Sequence, residues 1–227
     1  QESEAFVAEI SERASALETA REAERTARQE LSSGEATLEA LRALDVEVQK
    51  GSPLAEKLVS DTATASLVSG RLADYLEVQP EFEGLVEQLL GEDLSALVVD
   101  KQQNIHVLFE RVQELSEDGK ATLVAFSDVT SSLAAPAHTT PLLEHVSAQK
   151  GAETLVQELF GHVFVAQSLD DAYIARKNEP RGLYVLLDGT LLYPDGRLVL
   201  GHASRAEDGS LERKRRIREL EVALPAL

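Results

Sequence analysis

The chain has 227 residues, a formal net charge of −18 at pH 7 and a hydrophobic fraction of 43%. That length suffices for one medium-sized domain or two small ones with a buried core. The absence of cysteine excludes disulfide bonds, thiolate metal sites and cysteine nucleophiles. The acidic balance argues against a surface that is basic overall. Because the chain has only six phenylalanines, four tyrosines and no tryptophan, aromatic platforms that stack single-stranded nucleic acid are not expected.

The first residues, QESEAFVAEI, lack the basic and apolar regions of a signal peptide. Because there is no initiator methionine, we expect a piece of a longer protein or a processed chain. No apolar run approaches the ~20 residues that a membrane span needs. We therefore expect a cytoplasmic protein without membrane contact.

Residues 1–50 predict one long helix, since they are rich in Ala, Glu, Arg and Leu and contain no proline. Apolar residues form a narrow stripe at spacings of three and four, which is typical of a coiled-coil seam. An amphipathic helix packed on its own domain is the alternative, but ~75 Å of helix exceeds the width of such a domain. We expect Gly34 to weaken or break the helix. The stripe consists of Val7, Ile10, Ala14, Leu17, Ala20, Ala27, Leu31, Leu38, Leu41 and Val48.

Residues 51–64 predict a connector, with a short helix as the alternative for residues 54–64, because Gly51-Ser52-Pro53 ends or bends the first helix. Short apolar runs predict buried strands further along the chain. These runs lie at 96–99, 121–126, 162–166 and 183–187. Helices are predicted at 81–90, 103–115, 152–159 and 169–175. Asp188-Gly189 and Asp195-Gly196 flank TLLYP and predict a hairpin.

The central region is predicted to have two halves, 65–145 and 146–204, each with a helix, a strand after a Leu-Gly or Phe-Gly pair, and another helix. Residues 127–150, rich in Ser, Thr and Pro, are predicted to connect the halves. Residues 205–227 return to a helical seam. The predicted fold class is α+β: a two-half globular domain inserted between two helices that form an antiparallel coiled-coil arm.

The central region contains a series of short motifs in a fixed order. The first half contributes Gly70–Val78, Pro80–Glu83, Leu90-Gly91, Leu94–Asp100 and Gly119–Leu123. The second half contributes Leu159–Gly161, Val163–Val165, Leu169–Ala172, Leu187–Gly189, Pro194, Gly196 and Gly201. In this order, the motifs resemble the hinge of bacterial SMC (structural maintenance of chromosomes) proteins over residues 65–204, although each motif alone is weak.

The resemblance implies a ring-shaped homodimer, in which the first half of each hinge meets the second half of the other. Glycine at a strand edge lets two backbones approach closely. We therefore expect the dimer interface to contain Gly196, Gly201, Gly70 and Gly119. For Gly196, simple turn geometry after Asp195 is an alternative explanation. The family usually carries two glycine pairs here, whereas this chain has Asp195-Gly196 and Gly201-His202.

The sequence contains no phosphate-binding loop, dinucleotide-binding glycine motif, zinc-protease motif or serine nucleophile motif. The five histidines are scattered, and a zinc-hook dimeriser would need Cys-x-x-Cys. We therefore expect no catalytic residue, no metal site and no cofactor in this segment. The resemblance implies that ATP and Mg²⁺ bind the head of the full-length ATPase. The histidines are His106, His138, His145, His162 and His202.

A basic run opens the second arm, where residues 211–227 carry five basic and three acidic side chains, net +2. One interpretation is weak contact with DNA phosphates, regardless of base sequence. The other is a solvated helix face paired with acidic residues of the first arm. The run consists of Arg213, Lys214, Arg215, Arg216 and Arg218, and the acidic neighbours are Glu35, Glu39 and Glu47.

The resemblance implies a dimerisation hinge of a chromosome condensation and segregation ATPase, with regulatory subunits as further partners and a location at the nucleoid. An alternative is a small-molecule binding or enzymatic α/β domain, with a pocket at the Asp188-Gly189 and Asp195-Gly196 loops. A third possibility is the tip of a coiled-coil scaffold unrelated to chromosomes.

Overall fold

The computed structural model describes residues 2–48, 52–115, 119–126, 132–201 and 209–226. The chain divides into two units. The first comprises Gln1–Leu44 and Arg216–Leu227, and the second comprises Asp45–Arg215.

Helix α1, Glu2–Val48, confirms the long helix predicted from the sequence. It runs without interruption through Gly34, so the predicted break is wrong. Within the first unit its half-buried positions follow a heptad spacing, while most of its other described side chains are exposed. These positions are Ala27, Leu31, Gly34, Leu38 and Leu41.

The second arm helix, α7 (Ser210–Ala223), ends in a 3-10 turn, Leu224–Ala226. Arg42 donates to Glu221 across 2.5 Å, and the Leu224 side chain lies against Gly34, where a Cβ atom would overlap it. The contacts run backwards along α1 as they run forwards along α7. The helices of the first unit are therefore antiparallel, as predicted.

In the second unit, α2 (Pro53–Ser60) follows the first arm helix. Ser52 caps it, since its hydroxyl accepts from the Ala55 N–H at 3.2 Å, and Pro53 occupies the first turn. Leu58 of α2 is fully buried with Leu97 and Leu108 in a small core. Of the two alternatives for residues 54–64, the structure thus has the short helix, which packs in the first half of the domain.

The first half holds strands β1 (Val68–Arg71), β2 (Leu76–Val78), β3 (Leu97–Val99) and β4 (Leu123–Ala125). Its helices are α3 (Glu83–Leu90) and α4 (Gln102–Glu114). The sheet has the order β1-β3-β4, with β1 antiparallel and β4 parallel to β3. The two helices and the two strands β3 and β4 confirm the predictions at these places.

The second half holds β5 (Thr139–Pro141), β6 (Val146–Ala148), β7 (Val163–Ala166), β8 (Leu183–Val185), β9 (Leu191–Leu192) and β10 (Leu198–Val199). Its helices are α5 (Glu153–Phe160) and α6 (Leu169–Asn178). The sheet has the order β10-β9-β8-β7-β5. The predicted hairpin is present as β9 and β10.

The two halves repeat one chain path. In each, a strand (β1 or β5) leads through a 3-10 turn (Leu72–Tyr75 or Leu142–Glu144) into a second short strand. Strands β2 and β6 pair antiparallel and join the halves. The Gln79 N–H donates to the His145 carbonyl at 3.0 Å, and the Gln149 N–H donates to the Tyr75 carbonyl at 2.8 Å. These equivalent bonds place Gln79 and Gln149 at matching positions.

This repeat corrects one prediction. Residues 139–148, expected to lie in a connector, form β5, a turn and β6. Strands of three residues are too short to show an alternating pattern, so the sequence did not reveal them. The largest core cluster takes side chains from both halves, including the equivalent Leu72 and Leu142, which are 1% and 0% exposed.

Candidate dimer interface and arm root

Each half presents an outer strand. Among the described strands, β4 is an outer strand of the first sheet and β10 is an outer strand of the second. Val199 of β10 is 41% exposed and Leu200, which follows it, is 76% exposed, while Leu187, between β8 and β9, is 58% exposed. An outer strand carries backbone N–H and C=O groups that a strand of another chain can pair. Each half therefore has a sheet edge at which a strand of another chain could pair.

The two glycines near β10 are explained by contacts within the chain. Gly196 has φ +89°, and its N–H donates to the Tyr193 carbonyl at 2.9 Å, which is the geometry of a tight turn. At Gly201, a Cβ atom would overlap the Gln88 side-chain amide and the Gly189 carbonyl. The structure thus supports the turn explanation for Gly196. A role of either glycine in an interface stays a prediction.

The two glycines of the first half also have local reasons. Gly70 has φ +154° at an irregularity of β1, and a Cβ atom there would lie 3.3 Å from the Tyr75 ring. Gly119 has φ +129°, and its Cβ atom would lie 3.1 Å from that of Ser52. Gly119 precedes β4 in the chain, so it lies near the outer edge. For both residues an interface role stays a prediction.

The start of α7 is held by the first half of the domain. Leu211 is 3% exposed and packs in the largest core cluster. Its backbone N–H donates to Glu87 Oε1 at 2.6 Å, so a carboxylate of α3 caps the positive end of α7. Burial raises the pKa of Glu87, although this hydrogen bond acts in the opposite direction.

Residues 213–215 of α7 pair with carboxylates. Arg213 Nε lies 3.2 Å from Asp45 Oδ1, and Lys214 Nζ lies 3.2 Å from Asp45 Oδ2. Lys214 also donates to Asp74. Burial alone would raise the pKa of Asp74, but the hydrogen bond and charge of Lys214 bring it below its ordinary value.

Arg215 completes the set, since its Nε lies 2.8 Å from Glu83 Oε1 on α3. Arg213 and Lys214 are buried, with side chains 4% and 9% exposed, whereas Arg216 is exposed and Arg218 half-buried. We name the group formed by Arg213, Lys214 and Arg215 with Asp45, Asp74, Glu83 and Glu87 the arm-root cluster.

The arm-root cluster corrects the prediction of a solvated helix face. Arg213, Lys214 and Arg215 pair with Asp45, Asp74 and Glu83, and of these carboxylates only that of Asp45 lies on the first arm helix, while the other two belong to the first half of the domain. The sequence did not reveal these partners, because Asp74 and Glu83 lie more than a hundred residues away in the chain. DNA binding by Arg213, Lys214, Arg215, Arg216 and Arg218 stays a prediction.

A cavity of about 500 Å³ lies in the second unit, beside Ser52, Gly91 and Ala121. It is not at the Asp188-Gly189 or Asp195-Gly196 loops, where the alternative hypothesis put a pocket. The titratable side chains that line it are Glu92 and Lys120, which pair at 2.7 Å and are 81% and 79% exposed. This lining does not bring polar groups together in a buried site.

Four of the five histidines lie in the described residues, and His138 among them is exposed with φ +66°. His145 stacks on Phe82 with ring centroids 3.8 Å apart, burial lowers the pKa of His162, and His106 is exposed on α4. In the described ranges, no three His, Asp or Glu side chains lie together in a way that could hold a metal ion. No helix in this part of the chain is both long and apolar enough to cross a membrane. His202 lies outside the described residues.

Comparisons with known proteins agree with this architecture. The family model of the SMC proteins flexible hinge domain matches residues 65–176. The chromosome partition protein Smc of Myxococcus xanthus (strain DK1622) is 29% identical over 160 residues, which are 67% of this chain and 13% of that protein. The same-named protein of Bordetella petrii is 29% identical over 208 residues, 87% of this chain and 16% of that protein. The chain therefore spans less than a fifth of these curated relatives.

Solved structures share the fold. An asymmetric dimer of the Geobacillus stearothermophilus SMC hinge domain has a TM-score of 0.73 at 21% identity, covering 89% of this chain and 85% of that chain. The Pyrococcus furiosus Smc hinge domain with an extended coiled coil has a TM-score of 0.55 at 19% identity, covering 89% of this chain and 72% of that chain.

Proposed function

Residues 65–176 belong to the family of SMC hinge domains, and on that premise we propose that the chain is the homodimerisation hinge of a chromosome condensation and segregation ATPase, joining two coiled-coil arms. The observation that carries the proposal is an outer strand of each sheet, β4 in the first half and β10 in the second, with exposed apolar side chains at β10 and directly after it. In the proposed dimer, β4 of one copy faces β10 of the other.

A two-fold arrangement fits this pair of edges. Each copy contributes one edge from its first half and one from its second half, so two equal contacts form and the assembly closes as a dimer. Main-chain pairing supplies general affinity, and Leu187, Val199 and Leu200 supply apolar burial. The hinge dimers among the related solved structures support self-association.

Sedimentation velocity at micromolar concentration tests the dimer. We expect the unaltered chain to sediment as a dimer, and the Val199→Lys, Leu200→Lys double variant to sediment as a monomer. Both side chains are exposed within one copy, so the fold should persist. The matched control is Val107→Lys with Phe109→Lys, at exposed positions of α4, which should leave the dimer intact. An unaltered chain that stays monomeric would overturn the proposal.

We also propose a weak contact with duplex DNA at the second arm, independent of base sequence. Five basic side chains within six residues of α7 support it, and Arg216 is the exposed member. The test is Arg216→Glu with Arg218→Glu, measured by fluorescence anisotropy with a labelled duplex at low salt. We expect at least a tenfold loss of affinity, since two attractive charges become repulsive. Unchanged affinity would remove both residues from the site.

The rest of the proposal concerns the whole protein. ATP and Mg²⁺ would bind its head, regulatory subunits would bind elsewhere, and the assembly would act at the nucleoid in the cytoplasm. The hinge segment itself would need no cofactor and would not hydrolyse ATP. The alternative of a small-molecule enzyme draws no support from the cavity beside Ser52, because the titratable side chains lining it, Glu92 and Lys120, are mostly exposed.

A further inference from the structure

The arm-root cluster surrounds the first turn of α7 with carboxylates from three elements. Asp45 lies near the end of α1, Asp74 in the 3-10 turn after β1, and Glu83 and Glu87 on α3. Together these groups supply four carboxylates to three basic side chains and the capped N–H of Leu211. The three basic side chains are therefore already paired, within the protein, with carboxylates that carry the same single negative charge as a DNA phosphate.

We propose that the arm-root cluster is an autoinhibitory contact: its carboxylates occupy Arg213, Lys214 and Arg215, so that binding of a polyanion by these residues and closure of the cluster exclude each other. The inference rests on the proposed DNA contact and adds its regulation. Arg216 and Arg218 would provide the basal contact, and opening of the cluster would add the other three cations.

Exclusion follows from the contacts. Lys214 is 8% exposed and donates to Asp45 and Asp74, so its ammonium group must leave both carboxylates before it can reach a phosphate in solvent. Leaving them would strand two charges that are themselves largely buried, 14% and 27% exposed. Such an unpaired charge is unfavourable, which holds the cluster closed in the absence of a competitor.

Linkage makes the effect reciprocal. A polyanion that binds only the open form must shift the cluster toward opening, and any change that opens the cluster must tighten polyanion binding by the same factor. The number of cations that contact phosphate also sets the salt dependence of binding, at roughly 0.9 in log K per log salt for each contact with duplex DNA. Opening is therefore visible as a steeper salt dependence.

The internal repeat provides a matched control. The test variant is Asp74→Asn with Glu83→Gln, which removes the carboxylates that the first half offers to Lys214 and Arg215. The control is Glu144→Gln with Glu153→Gln, at the equivalent turn and helix positions of the second half, where both residues are exposed. Both variants change the net charge by the same amount.

The measurement is binding of a labelled 30-base-pair duplex, or of heparin, across a series of KCl concentrations. We expect the test variant to bind about tenfold more tightly at low salt, with a slope of log K against log salt that is more negative by at least about 0.9, corresponding to the added contact of Arg215, since Asp45 still pairs with Lys214. The control should keep the slope of the unaltered chain. Equal slopes for the two variants would overturn the inference while leaving the basal DNA contact standing.

Comparing heparin with the DNA duplex distinguishes a failure of the autoinhibition proposal from a failure of the DNA proposal. Tighter, steeper heparin binding by the test variant without any duplex binding would support the cluster as an autoinhibitory contact and refute the DNA proposal. Dimerisation, measured by sedimentation, is independent of both.

A measurement on the unaltered chain guards against variants that fail to fold. Amine-reactive labelling read by mass spectrometry should modify Lys214 at least tenfold more slowly than Lys120, which is 79% exposed. Saturating heparin can replace the carboxylates as the partner of Lys214 only after the cluster has opened. Labelling of Lys214 as fast as Lys120 in the polyanion-free chain would overturn the inference.

Discussion

The two halves of the hinge share one chain path but differ in what is attached to it. The first half receives the arm: its 3-10 turn carries Asp74, and its helix α3 carries Glu83 and Glu87, all turned toward α7. At the equivalent positions the second half has Glu144, Glu153 and Gln157, and it ends in the β9–β10 hairpin with its exposed apolar edge.

The two halves therefore share their buried core positions but differ in the elements that their surfaces hold. The shared core positions, such as Leu72 and Leu142, are buried alike in both halves. The positions that face outward differ, so the same supersecondary unit anchors a helix in one half and presents a strand edge in the other. Equivalent substitutions in the two halves should therefore have equal effects in the core and unequal effects at the surface.

The largest effect should come from the shared core. Leu72→Ala and Leu142→Ala each remove a fully buried side chain and leave a cavity, so each should lower the free energy of unfolding by about 2–5 kcal/mol. Urea unfolding followed by circular dichroism measures both. A loss below about 1 kcal/mol for either variant would show that the halves do not share the core equally.

A smaller effect should distinguish the two turns. Asp74→Asn takes from Lys214 one of its two carboxylates, and we expect a loss of about 1–3 kcal/mol in the free energy of unfolding. Glu144→Gln, at the equivalent but exposed position, should change it by less than about 0.5 kcal/mol. Similar losses for the two variants would mean that the arm-root cluster does not stabilise the first half.

The smallest effect concerns the pH dependence of stability at one pair of equivalent positions, Glu87 in the first half and Gln157 in the second. Burial raises the pKa of Glu87 above its ordinary 4.5, so the folded chain binds the proton more tightly than the unfolded chain. This residue's contribution to stability is therefore largest below pH 4.5 and is lost as the pH rises through the raised value. Glu87→Gln, which installs the residue of the second half, should remove that dependence.

Urea midpoints measured from pH 4 to pH 8 test this, with Glu153→Gln as control. The difference between the unaltered chain and the Glu87→Gln variant should grow in favour of the variant as the pH rises through this window. Asp74 contributes in the opposite sense, since its lowered pKa gives stability above 3.8 that is lost in stronger acid. A constant difference between the two chains would contradict the assignment to Glu87.

Local patterns in the sequence were enough for the longer elements. The seam of α1 and the β-branched runs at 97–99 and 163–166 follow from periodicity and composition. The strands β1, β2, β5 and β6 were missed, because runs of only three or four residues are too short to establish an alternating pattern, and β1 and β5 also contain Ser, Gly, Thr or Pro. Motif order predicted the hinge family without revealing these strands.

The candidate site was less predictable than the fold. The basic run is plain in the sequence, but the carboxylates that hold it come from a helix end, a turn and a second helix that only the tertiary structure brings together. The four glycines were selected as interface residues, and that role stays a prediction. Their contacts with Gln88, Tyr75, Ser52 and Arg176 could not be deduced from spacing, because each partner lies far along the chain or across a turn.

Gly34 gives the pair of arm helices a single favourable registration. Leu224 fits against α1 because that position has no side chain. A shift of half a heptad would bring Leu224 against Leu31 or Leu38, and a full heptad in one direction would bring it against Leu41. Each shift replaces a close fit with two leucines competing for one space. Gly34, which was expected to weaken the helix, thus favours one register between the two arm helices.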